Sequence, residues 1–423
     1  MDLPRQSLQG RLSAWAILGL VFALCAGVFL RLVWVEDIEY KGDEAWTFHR
    51  TLATDPNDPH PWLGMPTSYD LRHPSGTVYI FEALAWLFQT RTPLELARAC
   101  QLTNCAAVLL VAIFGLFCVP RPEREYWLWG SVFAAVNPLA VVLQRKIWPP
   151  SIAPLFVMLF TMAFWYRSSR IGAFCWGLSG LLLAQIHPAG MFVSLGFALW
   201  VFLFQRNSAR WLYWVIGSSI GLLLLVPWLR YAFETMAINP ISQRKPGNAF
   251  EFKFWTRWIS EAFGFSLSYS LDKDFPRFLA GPRVAGFPTY LIGALHVFLG
   301  LAMGYFVWKG GNKVYSLRKD LGSLLRDPAS PTRFTILAGA LGFGLIFTLS
   351  LLPVHRHYML LTFPLMYVSL GYVGLRFGPG RWFLVLIALS QLLISLAFLL
   401  LIHETPDAIQ GDYWKPYRMT VGK

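Results

Sequence analysis

Long apolar segments recur along almost the whole of this chain, and they leave few architectures open to it. Of 423 residues, 56% are hydrophobic and only 14% carry a charge, against about 25% charged in soluble domains. Inside lipid a backbone has to satisfy its own hydrogen bonds, so a chain with this pattern folds as an all-α polytopic membrane protein. Spans are read near 12–35, 98–118, 127–144, 151–166, 171–187, 188–205, 211–229, 286–308, 334–352, 357–375 and 382–402, which gives about eleven transmembrane helices. The first is too long for the apolar core of a signal peptide and lacks a small-residue cleavage site, so it is expected to stay as an anchor.

Loop charge orients the spans. Arg121 and Arg124, Arg167 and Arg170, Arg206 and Arg210, and Arg376 and Arg381 fall in alternate loops, and the loop at 309–333 adds Lys309, Lys313, Arg318, Lys319, Arg326 and Arg333. Basic loops stay in the cytoplasm, which puts the N-terminus inside and the C-terminus outside. The same asymmetry accounts for the net charge of +13 without nucleic acid as a partner. The segment 76–88 is the main ambiguity. It is apolar, but it is short for a crossing and contains Glu82, so it is read as a helix at the outer interface. A single membrane domain over 1–402 is expected, with long outside loops at 36–97 and 230–285 that hold interfacial helices, and an outside tail at 403–423. The five cysteines lie in or beside apolar stretches and suggest neither disulfides nor a zinc site. There is no internal repeat.

With this topology the outside face collects Asp43, Glu44, His49, Asp70, Arg72, His73, Arg145, Lys146, His187, His355, Arg356, His357 and the tail. Four elements carry candidate chemistry. Asp43-Glu44 follows the first span closely; a boundary carboxylate is suited to deprotonating an acceptor, while a solvated loop or a cap for a helix over 44–52 is the plainer reading. Arg72-His73-Pro74 precedes the interfacial helix, with Pro74 suited to its first turn; the two bases could hold a phosphate or anchor the segment at the interface. Asn137-Pro138 and Gln144-Arg145-Lys146 end the third span before Trp148-Pro149-Pro150. Of the two bases Arg145 is the better phosphate ligand because its planar fork binds two oxygens, and snorkelling at a helix end is the alternative. His355-Arg356-His357-Tyr358 is a polar turn between strongly apolar spans, with three potentially cationic side chains to stabilise a phosphate leaving group. His187-Pro188 is read as a loop turn. Metal binding is not favoured, because the histidines lack helical spacing beside a carboxylate. Walker, dinucleotide and nucleophile-elbow motifs are absent, which argues against nucleotide-driven chemistry.

The order of these parts resembles the GT-C superfamily of integral-membrane glycosyltransferases, most closely the branch of protein O-mannosyltransferases and the aminoarabinose transferase of lipid A. The likeness rests on Asp43-Glu44, Arg72-His73-Pro74 with Arg98, Asn137 to Pro150, and His355 to Pro364. It implies a polyprenyl-phosphate-linked sugar donor, an acceptor that is a glycolipid, polysaccharide or protein on the outer side of a bacterial inner membrane, and inverting transfer. It makes Asp43 the catalytic base, supported by Glu44. His73, Arg145, Arg356 and Tyr358 become donor-phosphate ligands, with Arg72, Lys146, His355 and His357 beside them. Arg98 becomes a partner of the acidic loop. Arg72 and Lys146 stand where relatives often carry acids, which weakens the case for a divalent metal. An extended C-terminal soluble domain, found in some members, is not expected here. A transporter or flippase is the rival reading, but it predicts midplane charges and two similar halves, and the sequence has neither.

Overall fold

The computed structural model describes residues 14–53, 62–67, 71–238, 245–250, 252–316, 318, 322, 325 and 330–420; Asp70, Lys319 and Arg326 lie outside the described residues. The chain enters through α1 (Ala14–Leu32) and a short turn (Val35–Asp37), then forms α2 (Gly42–Leu52), α3 (Gly76–Phe88) and α4 (Pro93–Phe117). Next come α5 (Arg124–Val136), α6 (Pro138–Leu143), α7 (Pro149–Trp165), α8 (Arg170–Ile186), α9 (Gly190–Gln205) and α10 (Trp211–Ile238). Three short helices follow, α11 (Lys253–Ala262), α12 (Leu267–Leu271) and α13 (Phe275–Leu279), then a two-residue hairpin pairing Val284 with Phe287. The chain finishes with α14 (Leu291–Ser316), α15 (Pro331–Leu349), a 3-10 segment (Arg356–Thr362), α16 (Leu365–Phe377) and α17 (Arg381–Glu404).

Helices occupy every position where a span is read. Six of them among the described residues are long and apolar enough to cross a membrane: α1, α4, α10, α14, α15 and α17. A seventh is possible if the 3-10 segment and α16, bent by 75°, count as one span. The others are shorter, 17 residues each in α7 and α8 and 16 in α9. Local chemistry explains where the pattern breaks. The span read as 127–144 is two helices, because Pro138 cannot continue the donor ladder and Asn137 restarts it, accepting from Leu139 N and Ala140 N at 3.0 and 3.3 Å. The span read to 229 continues in α10 to Ile238. Pro74 lies just ahead of α3 rather than in its first turn, since the helix opens at Gly76.

Close helix crossings fix the frame. A Cβ on Gly27 of α1 would sit 2.7 Å from Cβ of Ala135 on α5, and a Cβ on Gly76 of α3 would sit 2.5 Å from Cβ of Gln185 on α8. Contacts this close exclude any side chain, and the second sets the start of α3, just after His73, against the end of α8, just before His187. The arginine-rich turns gather away from these ends. Arg167 donates to Gln205 at 2.7 Å, and Arg381 pairs with Glu125 at 2.5 Å.

Candidate active site

The first turn of α2 divides its two acids. Glu44 turns back to accept from Lys41 N at 2.9 Å, which satisfies a donor left open at the helix start. It is buried, whereas Asp43, one position earlier and about 100° round the helix, faces out and is exposed. Asp43 Oδ2 accepts from the indole Nε1 of Trp148 at 3.2 Å. The same indole lies under Lys146, whose Nζ is 4.2 Å from the ring centroid. Asp43 and Lys146 therefore share one aromatic support.

Arg145 and Lys146 are neighbours with different destinations. Arg145 runs to the C-terminal end of α1, where its two Nη atoms donate to the carbonyls of Leu30, Val33 and Trp34 at 2.5, 2.6 and 2.8 Å. Carbonyls left open at a helix C-terminus favour a cation. The fork that made Arg145 the better phosphate ligand is spent on this cap. Arg98 also donates to this helix end, through the carbonyl of Leu32. No ion pair joins Arg98 to an acid of the loop among the described residues.

Lys146 turns the other way, to Glu44 Oε1 at 3.1 Å and Glu39 Oε2 at 3.0 Å. From there opposite charges alternate. Glu39 Oε1 lies 2.6 Å from Lys41, Lys41 lies 3.4 Å from Asp412 Oδ1, and Asp412 Oδ2 lies 2.8 Å from Arg356 Nη2. Three acids and three bases thus link the first loop, the end of α6, the C-terminal tail and the late polar turn. Burial pushes the Glu44 carboxyl above the usual range; Lys146 opposes this and Glu39 adds to it. Burial alone would lower the Lys146 ammonium, but Glu39 and Glu44 outweigh it and raise it.

Four histidines converge beside this chain of charges. His73 and His187 have ring centroids 5.2 Å apart, His187 and His357 6.0 Å, and His355 stacks on His357 at 5.6 Å. Trp148 meets His357 edge-on at 4.8 Å, which connects the cluster to Asp43. Tyr358 packs between His357 and His187 at 4.4 and 5.0 Å. Burial holds His73 down at about 4; it also lowers His187, helped by His73 and His355, and lowers His355, helped by Arg257 and Lys253. These shifts favour the neutral rings, which act as donors and acceptors, and Arg356 is the permanent cation of the late turn. Arg72 donates to the carbonyl of Gly64 at 2.9 Å and lies 5.9 Å from the Trp46 ring, while its own carbonyl accepts from Trp228.

Several residues here were not singled out from the sequence. Glu39, Lys41 and Asp412 look like ordinary loop charges, and only the fold brings them into one chain. His187 does form a turn, with Nδ1 accepting from Ala189 N at 3.1 Å, but its ring also sits in the histidine cluster. Glu261 on α11 is buried, and burial lifts its carboxyl to about 7 against Ser266, Arg257 and Arg356. One trio among the described residues has metal-ligand spacing: Glu36, Asp37 and His403. Asp37 is already bonded to Arg418 Nε at 2.5 Å and His403 Nδ1 at 2.7 Å. A dication there would face a guanidinium, so the group fits an ion-paired clasp better than a metal centre.

Solved structures of similar shape exist. The Archaeoglobus fulgidus oligosaccharyltransferase in its apo form is similar over 90% of this chain and 55% of its own, at 14% identity and a TM-score of 0.47. The oligosaccharyltransferase AglB from Archaeoglobus fulgidus, in complex with an inhibitory peptide and a dolichol-phosphate, is similar over 91% of this chain and 56% of its own, at 14% identity and a TM-score of 0.46. The Archaeoglobus fulgidus enzyme tethered to an acceptor peptide with an NVT sequon gives 16% identity and a TM-score of 0.45. The chain spans about half the length of the proteins it matches. No family model matches the chain, and no curated protein matches it in sequence.

Proposed function

We propose that this protein is an inverting glycosyltransferase that moves a sugar from a polyprenyl-phosphate carrier to an acceptor at the outer boundary of the membrane. One observation carries the reading: an exposed carboxylate, Asp43, is held 3.2 Å from Trp148 Nε1, and the cation Lys146 rests on the same indole. A base and positive charge side by side are what displacement at an anomeric carbon requires. Asp43 takes the acceptor proton as its oxygen or nitrogen attacks that carbon. The bond from the carbon to the phosphate oxygen breaks, and the electron pair leaves with the lipid phosphate. Charge on that phosphate grows during the step, and Arg356 supplies the opposing field, while Lys146 is held by Glu39 and Glu44 beside the base. His73, His187, His357 and Tyr358 are polar but uncharged or weakly charged partners suited to sugar hydroxyls. Glu44 holds Lys146 and so positions the base indirectly.

On this reading the face bearing Asp43 is periplasmic or extracellular, the N-terminus is cytoplasmic, and the membrane is the bacterial inner membrane. The long loops at 36–97 and 230–285 form its outer surface, and acceptor classes remain glycolipid, polysaccharide or protein. The test uses purified protein in lipid nanodiscs with radiolabelled polyprenyl-phosphate sugars and a mixture of candidate acceptors. Label should pass from the lipid to acceptor, and none should pass from nucleotide sugars. Transfer from a nucleotide sugar alone would end the reading.

A further inference from the structure

After α17 the chain does not trail away. Residues 405–420 fold back across the face that bears Asp43 and are bound to it at several points. Tyr40 N donates to Lys415 O at 3.2 Å, Tyr417 N donates to Ile38 O at 2.9 Å, and Tyr413 N donates to Ser270 O at 3.0 Å. Arg418 pairs with Asp37, and Tyr413 donates its hydroxyl to the Asp37 carbonyl. This strap joins the first loop to α12.

At its middle, Asp412 divides its carboxylate between two cations. Oδ2 lies 2.8 Å from Arg356 Nη2 and Oδ1 lies 3.4 Å from Lys41 Nζ. Neither cation depends on the Asp412 carboxylate for its position. Arg356 is buried, its Nη1 donates to Ser270 Oγ at 2.7 Å and to Ser266 O at 3.2 Å, and its guanidinium lies 4.5 Å from the Tyr269 ring centroid. Lys41 is held by Glu39 at 2.6 Å and also donates to the backbone carbonyl of Asp412, a contact that does not involve the carboxylate. Asp412 itself is 39% exposed, a far more open position than the 8% of Arg356. The geometry is that of a preformed two-cation cradle with a replaceable carboxylate at its mouth.

We propose that Lys41 and Arg356 form a binding site for a phosphate ester, that Asp412 fills this site in the resting protein, and that the incoming phosphate takes its place. The proposal rests on the reading of the donor as a lipid phosphate, but it assigns Lys41 and Asp412 roles that reading does not require. A phosphate monoester, the form of the carrier after transfer, has three terminal oxygens and up to twice the charge of a carboxylate, so it competes well for a split pair of cations; the donor diester has two terminal oxygens and a single charge and can replace the carboxylate one for one. Lys41 lies two residues before Asp43, so a phosphate held there is next to the base. Elsewhere the strap stays clasped through Asp37 and Arg418, and the exchange needs movement only around Asp412.

The test measures binding to the full-length protein in nanodiscs, using decaprenyl monophosphate, inorganic phosphate and uncharged decaprenol. Asp412→Asn removes the competing charge with little change of shape. It should bind decaprenyl monophosphate about tenfold more tightly than the wild type, the equivalent of roughly 1.4 kcal/mol. Decaprenol binding should be unchanged. Lys41→Met in the Asp412→Asn background should cancel the gain. In the wild type, amide exchange at 410–413 should rise when decaprenyl monophosphate is added. A gain with inorganic phosphate as well would identify the site as a reader of phosphate alone; a gain confined to the lipid would add the chain to what is recognised. Equal or weaker phosphate binding by Asp412→Asn would overturn the proposal, as would the absence of phosphate binding in every variant. If binding behaves as stated but no sugar is transferred, the transferase reading fails and this site stands.

Discussion

Lys146 Nζ lies 3.1 Å from Glu44 Oε1, and both groups are buried. Glu39 completes the arrangement on the other side of the ammonium at 3.0 Å. Removing one charge from such a group leaves the others buried without compensation. Lys146→Met is therefore expected to destabilise the protein by about 3–5 kcal/mol, read as a lower unfolding temperature in detergent. The double variant Lys146→Met with Glu44→Gln should recover part of that loss. A single variant as stable as the wild type would show that Lys146 does not hold the acidic loop.

Trp148 positions Asp43 through one hydrogen bond and one ring. Trp148→Phe removes the donor and keeps most of the ring. A net hydrogen bond is worth about 0.5–1.5 kcal/mol, so kcat for sugar transfer should fall roughly threefold to tenfold. Trp148→Ala, which also removes the platform for Lys146, should cost more. Equal effects of the two variants would mean that the indole N–H has no part in aligning the base.

His73 links stability to pH. Its value is about 6.5 in the unfolded chain and about 4 in the buried site. Between those values the unfolded chain binds a proton that the folded protein does not. Stability therefore falls as pH drops from about 6.5 to about 4 and levels off below that. The full loss from this one ring is on the order of 3 kcal/mol. His73→Gln cannot titrate, so its unfolding temperature should change less over the same pH range. Identical pH profiles for the two proteins would contradict the assignment of this proton.

Arg145 closes α1 rather than facing the late turn. Arg145→Lys cannot reach three carbonyls with one ammonium, and it should lower stability by about 3 kcal/mol, given 1.5–3 kcal/mol for each charged hydrogen bond. The apparent KM for the lipid donor should change little in protein that remains folded. A large rise in KM with unchanged stability would return Arg145 to the phosphate site.

How much of this is legible in the sequence differs by level. The apolar segments announce every long helix because lipid imposes one pattern on anything that crosses it, and α3 has the bounds 76–88 read from the sequence. The break at Asn137-Pro138 is less visible, because the residues on both sides stay apolar while the backbone restarts its helix. The first-loop acids and the His355–Tyr358 turn stand out because polar residues crowd between apolar spans. What cannot be read is which partner each charge takes. Arg145 and Lys146 are adjacent in sequence, yet one serves a helix end and the other two carboxylates. Asp412 reaches Arg356 only because the tail folds back, and nothing in its local sequence marks it. The clustered histidines look cationic as a list, and burial, invisible in the sequence, lowers His73 and His187 further from the charged form.

We propose that Asp43 is the base in a transfer from a lipid phosphate. The most direct measurement compares wild type and Asp43→Asn in a single turnover from radiolabelled polyprenyl-phosphate sugar, with decaprenyl monophosphate binding measured on the same preparations. Phosphate binding should be unchanged in Asp43→Asn, and its transfer rate should fall by about 10²–10⁴. Undiminished transfer by Asp43→Asn would contradict this proposal.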